Sequence, residues 1–193
     1  MPPQNSLGLG RLRRLLAGAE WRTIGRETRT VRSIYLPFLL PLCAIGPAAA
    51  ALGTILSGGT RTSLAGTYTL STGTALIGAA VEYVLALGAV WVLALAIDRF
   101  ATGFGGRSNP IQSLKLAAYG TTPYWLAGIF AVIPKLAPLG LIVGLYSVRL
   151  YALGLPLLME VPAEKAAATA LSVGAVAVIL VLAISAVGLL LAS

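Results

Sequence analysis

The sequence predicts an all-α membrane protein: a five-helix transmembrane bundle preceded by a basic amphipathic interfacial helix. Three observations predict it. Of 193 residues, 58% are hydrophobic and only 10% are charged, whereas soluble domains carry about 25% charged residues. The apolar residues fall in five runs, each near the ~20 residues that cross hydrocarbon. The basic residues collect on alternate connections between those runs, as the positive-inside rule requires. The chain divides into a basic leader over 1–33 and a five-span domain over 34–193.

The leader holds seven of the fourteen basic residues, Arg11, Arg13, Arg14, Arg22, Arg26, Arg29 and Arg32, against Glu20 and Glu27. Leu7, Leu9, Leu12, Leu15, Leu16, Trp21, Ile24 and Val31 are interleaved at imperfect helical spacing. Such a helix suits the headgroup region of an anionic leaflet, so the lipid bilayer is its expected partner. Arginines also neutralise nucleic-acid phosphates. The adjoining membrane segment already accounts for the charge, and no nucleic-acid partner is expected. The apolar part begins late and is followed by more spans, unlike a cleaved signal peptide.

The first span is Ile34–Leu56, where Pro37, Pro41 and Pro47 leave open a broken or re-entrant start. Ser57–Gly73, rich in Ser, Thr and Gly, reads as a flexible surface loop. The second span is Thr74–Ile97 and the third Leu114–Ile133, with Pro123 placed to kink it or to line a cavity. The fourth is Leu136–Met159 and the fifth Ala166–Ala192. Pro134-Lys135 alone separates the third from the fourth, so that hairpin must be tight. On the fourth span, Gly140 and Gly144 form a GxxxG that lets a backbone approach closely, within one bundle or in a homo-oligomer.

The chain from Leu145 to Ala166 carries the most information. Pro156 has no N–H for the helical ladder, so a kink or helix end is expected there, just after Gly154. Pro162 suits the first turn of a new helix, and Glu164 then lies where the helix dipole favours negative charge. Two membrane helices joined by a tight polar turn follow from this pattern.

Catalytic chemistry has little to build on. There is no histidine, and Cys43 is the one cysteine, which excludes an internal disulfide and any Cys/His metal constellation. Cys43 lies in an apolar run and reads as a small buried hydrophobe. The six acids are scattered, with no pair in different segments poised for acid–base work. No enzyme activity, cofactor or metal is expected. Glu82 and Arg149 differ from the other charges, because ionisable groups inside a membrane are costly and usually paired or functional. Counted from Asp98 and Glu160 they lie about 24 and 16 Å from the cytoplasmic ends of their spans. An ion pair facing the bundle interior is expected, as a structural element or on a transport path.

Tyr146, Tyr151, Gly154-Leu155-Pro156, Met159 and the run Val161–Ala166 resemble the signature of the Yip family, the Ypt/Rab-interacting membrane proteins, in its compact prokaryotic branch. The resemblance includes Phe104-Gly105-Gly106, Leu114–Tyr119 and Thr122–Gly128. Glu20-Trp21, Ile24, Glu27 and Pro41-Leu42 also fit, so it covers roughly residues 19–190. It implies a non-enzymatic, multi-pass, membrane-organising or protein-interaction component resembling trafficking factors, in a prokaryotic cytoplasmic membrane. Eukaryotic relatives bind prenylated Rab-type GTPases. The acidic N-terminal region through which many relatives meet GTPases has no match in the basic leader. Kinked spans and the Glu82/Arg149 pair support the alternative, a small transporter or channel.

Orientation follows from charge. With the N-terminus inside, eleven Lys and Arg are cytoplasmic (the leader, Arg99, Arg107, Lys115 and Lys165), and Arg61 and Lys135 are external. The chain is then N-in and C-out. Reporter fusions after Ser193 should read out on the non-cytoplasmic side and fusions near Asn109 in the cytoplasm; a cytoplasmic C-terminus would remove one span.

Overall fold

The computed structural model describes residues 21–63 and 66–190. After helix α1, described over Trp21–Arg26, the first long helix α2 (Val31–Leu56) opens on a capping box. Thr30 Oγ1 accepts from Ser33 N at 3.2 Å, and Ser33 Oγ accepts from Thr30 N at 3.0 Å, which satisfies two end donors reciprocally. Pro37 lacks an N–H, and the helix widens around it into a π turn over Tyr35–Leu39. It then continues past Pro41 and Pro47 to Leu56. Of the two starts that the prolines leave open, the continuous one is seen, with helix running unbroken from Val31 to Leu56.

The following segment is also not a plain loop. Strands β1 (Thr60–Ser63) and β2 (Gly66–Thr69) pair antiparallel, with Arg61 opposite Tyr68. Threonine and tyrosine favour extended backbone, and Gly66 supplies a φ of 128° at the tip. Helix α3 (Thr72–Gly103) starts where Ser71 Oγ accepts from Thr74 N at 3.1 Å. Its 32 residues extend ~48 Å, beyond the ~30 Å of hydrocarbon. Two tyrosines tie α3 to α2: Tyr35 Oη donates to the Leu87 carbonyl at 3.0 Å and Tyr83 Oη to the Leu40 carbonyl at 3.1 Å. Between apolar helices such bonds add orientation that packing alone lacks.

The third apolar run is built in pieces: α4 (Pro110–Gly120), α5 (Thr122–Ala127) and a 3₁₀ turn over Gly128–Val132. Thr121 Oγ1 bonds back to the Ala117 carbonyl at 2.6 Å, and Pro123 has no N–H to give the ladder, so the helix breaks between them. The run still passes beside α2 along its length. Phe38 meets Tyr119 with ring centroids 4.7 Å apart, Gly46 meets Gly128, and Gly53 meets the carbonyls of Ala131 and Val132. Residues 113–123 are all buried, making this the centre of the bundle.

After a 3₁₀ turn at Pro134–Leu136 come α6 (Leu139–Gly144), α7 (Tyr146–Leu158) and α8 (Ala163–Leu190). Among the described residues, four stretches are long and apolar enough to cross a membrane: Val31–Leu56, Thr72–Gly103, Pro134–Leu158 and Ala163–Leu190. The predicted third span is not among them, because its polar start and the break at Thr121 interrupt it. One end of the bundle carries α1, residues 104–109 and the α7–α8 turn; the ribbon lies at the other.

Close backbone contact at Gly128 should be sensitive to one methyl group. A Cβ there would come within 2.6 Å of the Gly46 Cα, whereas one on Gly88 meets nothing within 4 Å. Gly128→Ala should cost about 1–3 kcal/mol, and Gly88→Ala should be neutral or stabilise by up to about 1 kcal/mol. Thermal unfolding of the two variants in detergent checks the contrast.

Candidate functional site

Within the described residues α1 covers Trp21–Arg26. Its C-terminal carbonyls are capped from α4. Lys115 Nζ donates to the Ile24 carbonyl at 2.8 Å and the Glu27 carbonyl at 2.7 Å. Gln112 Nε2 donates to the Gly25 carbonyl at 2.9 Å. An ammonium at a helix C-terminus complements both the orphan carbonyls and the dipole. Lys115 is 1% exposed, so it is an internal capping group and not the loop cation that its place in the sequence suggests.

The same end gathers residues from distant parts of the chain. Trp21 and Ile24 are buried, with Trp21 over Gly154, where a Cβ would approach the indole to 3.2 Å and Leu116 Cδ1 to 2.5 Å. The leader's apolar face therefore turns into the protein over this stretch, not towards lipid, while Arg22 and Arg26 stay exposed. Residues 6–20 of the expected interfacial helix lie outside the described residues. The Tyr151 ring covers Gly120, and its hydroxyl shares a 2.8 Å hydrogen bond with Thr121 Oγ1. Arg107 N donates to the Met159 carbonyl at 2.8 Å. The Asp98 carboxylate accepts from Ser108 Oγ and Asn109 N, each at 2.8 Å, which fixes the loop before α4.

The prolines expected to shape this region are placed as follows. Pro156 lies inside α7, which ends two residues later at Leu158. Pro162 immediately precedes α8, with Glu164 in the first turn, and its ring faces Gly105. Pro123 stands in the first turn of α5, after the break. Gly140 and Gly144 are turned inward against Ala127 and Tyr124 of α5. That face serves packing within one chain, which removes it as the surface for a homo-oligomer.

The expected Glu82–Arg149 pair does not form. Glu82 is bonded to Arg61 of β1 through Nη2 and Oε2. Arg149 is exposed on the outer face of α7, with its guanidinium 5.5 Å from the centre of the Tyr146 ring, a cation–π arrangement. The ribbon, unforeseen in the sequence, brings a nearer cation to Glu82. Arg61 and Glu82 side chains are 7% and 15% exposed, so the charges neutralise each other out of water. They also line a cavity of about 500 Å³ bounded by α2, α3 and α5–α8, which includes Trp125, Ser147 and Tyr151.

A sequence missed three residues that matter here: Arg61, Gln112 and Lys115. The signal for Arg61 was its place as the sole charge in the loop before the span that holds Glu82. For Lys115 it was a lysine enclosed by Leu114, Leu116 and two alanines.

Long apolar helices packed through glycines and interhelical hydrogen bonds define a multi-pass helical membrane protein. Within that class the particular family is shown by comparison: the Yip1 domain matches residues 17–185. The chain belongs to the Yip1 domain family. Neither curated proteins nor solved structures gave a match.

The pairing of Glu82 can be tested by a double-mutant cycle. Arg61→Gln and Glu82→Gln should each cost about 3 kcal/mol, because each leaves its partner buried and uncompensated, and the double variant should recover part of the loss. Arg149→Gln should stay within about 0.5 kcal/mol of wild type. Denaturation in detergent reads all four.

Proposed function

We propose that the protein is a non-enzymatic membrane-organising or protein-interaction component, crossing the bilayer five times with its N-terminus in the cytoplasm and its C-terminus outside. In this reading the piecewise third run counts as a crossing, since it follows α2 from the α1 end to the ribbon end. Arg22, Arg26, Arg99, Arg107 and Lys165 are exposed at the α1 end, which supports placing that end in the cytoplasm. The membrane is the cytoplasmic membrane of a prokaryote.

The observation that carries the reading is how the family-like residues are used. Trp21, Gly106, Tyr151, Gly154, Met159 and Val161 bind segments of this chain to one another. They close one end of the bundle into a fixed platform, with arginines around it. A rigid charged face suits recognition of a partner or of an anionic leaflet. The transporter alternative keeps the cavity but loses the Glu82–Arg149 path.

Photocrosslinkers at Arg22 and Arg107, activated in intact membranes, test this directly. A defined protein neighbour, identified by mass spectrometry and shared by both positions, is expected. Solute flux through proteoliposomes with no crosslinked neighbour would instead establish the transporter.

A further inference from the structure

Arg149 is the charge that the bundle leaves over. It lies in the span Pro134–Leu158, nine positions before Leu158, which is about 14 Å along a helix. That depth is close to the middle of a hydrocarbon layer ~30 Å thick. Ionisable side chains at such a depth are costly, and they are normally paired or turned towards protein or water. Arg149 is exposed instead. Its guanidinium stands over the Tyr146 ring, but it makes no ion pair or hydrogen bond with the described residues. A ring attracts the charge and offers no lone pair to the five N–H donors.

Two observations remove the nearest sources of a counter-charge. The first is direction. Helix α7 runs towards the α1 end, where Trp21 covers Gly154, and Tyr146 lies a turn farther from that end than Arg149. The guanidinium is thus turned away from the nearer headgroups, along the usual lean of helical side chains towards the N-terminus, and does not snorkel to phosphate there. The second is the chain's own acids. Glu82 is bonded to Arg61, Asp98 to Ser108 and Asn109, Glu27 to Arg29 and Glu160 to Arg107. Glu164 stands in the first turn of α8, at the α1 end. Among the described residues no acid is exposed at the depth of Arg149, so a second copy brings no carboxylate to it.

The surroundings of Arg149 give the form of the missing partner. Ile142, Leu145, Leu153 and Leu157 are exposed and, with Arg149, recur every three or four residues along α6 and α7. That spacing puts them on one side of the helix, so the cation sits at the centre of an apolar stripe that one helix can cover. In lipid, apolar packing gives helices little reason to associate, and polar contacts across the interface supply it.

We propose that the face of α6 and α7 centred on Arg149 docks a transmembrane helix of another protein that carries one Asp or Glu near the middle of its span, its carboxylate accepting from the guanidinium. This deepens the reading of the protein as an interaction component, and rests on it, by naming the chemistry of the partner. No group inside the chain depends on Arg149 except the Tyr146 ring, so its replacement leaves the fold in place and tests the face by itself.

The full-length protein is reconstituted in phosphatidylcholine vesicles with a dansyl-labelled transmembrane peptide of leucine and alanine, flanked by lysines and bearing one central glutamate. Energy transfer from the protein's tryptophans to dansyl is followed. Saturable transfer at one peptide per chain is expected. Glutamine in place of that glutamate should weaken binding about three- to twentyfold. Arg149→Leu should abolish the difference between the two peptides, and Arg149→Glu should shift preference to a peptide with a central arginine. Equal affinity of the wild-type protein for the glutamate and glutamine peptides would leave the guanidinium to lipid phosphate and overturn the proposal. A glutamate preference that survives Arg149→Leu would place the acid elsewhere and overturn it too. So would self-association of the wild-type chain that Arg149→Leu abolishes, since a second copy then occupies the face. Should Arg149→Leu fail to fold, Arg149→Gln is read in its place. Failure of the peptide test while Arg22 and Arg107 still crosslink to a protein neighbour would strike this face and leave the interaction reading standing.

Discussion

The ammonium of Lys115 sits among backbone carbonyls at the end of α1 instead of in water. Burying a charge costs several kcal/mol unless its donors are used, and two of them meet Ile24 and Glu27 at 2.8 and 2.7 Å. In return α1 becomes part of the bundle and delivers Trp21 onto Gly154. The consequences propagate along α4 to Gly120, where the Tyr151 ring fits because there is no side chain. One buried cation thus links the leader, the central run and the helix before the last turn.

The central run has two roles that conflict at the level of sequence. It must be buried on all sides, yet it carries Gln112, Lys115, Thr121 and Thr122. Three of them have a partner close by: carbonyls of α1 for Gln112 Nε2 and Lys115, and the Ala117 carbonyl with Tyr151 for Thr121; the Thr122 hydroxyl is buried with none among the described residues. Polar groups that would be expensive against lipid become specific contacts inside protein. The break between α4 and α5 is part of this solution, since it lets the second half settle onto Gly46 and Gly53 of α2.

Much of the architecture was legible in composition. Apolar runs long enough to span, the Pro162 start of α8 and the close packing allowed by Gly140 and Gly144 all follow from residue chemistry. What could not be read were partnerships over long sequence distance. Glu82 and Arg149 looked paired because both lie in apolar runs at compatible depth; nothing local announces a ribbon that brings Arg61 to Glu82. Trp21 and Ile24 looked lipid-facing because amphipathic spacing is the same whether the apolar side meets a leaflet or a protein groove. Lys115 looked like a loop charge because its acceptors lie about 90 positions away in the chain.

Hydrogen exchange across the α1 amides, in the wild-type protein and in Lys115→Met, measures the clamp most directly. The account predicts that residues 21–27 lose protection in the variant while the middle of α3 keeps its own. Unchanged protection of residues 21–27 would show that α1 is held by Trp21 and Ile24 alone, and would contradict a bundle end built around the buried lysine.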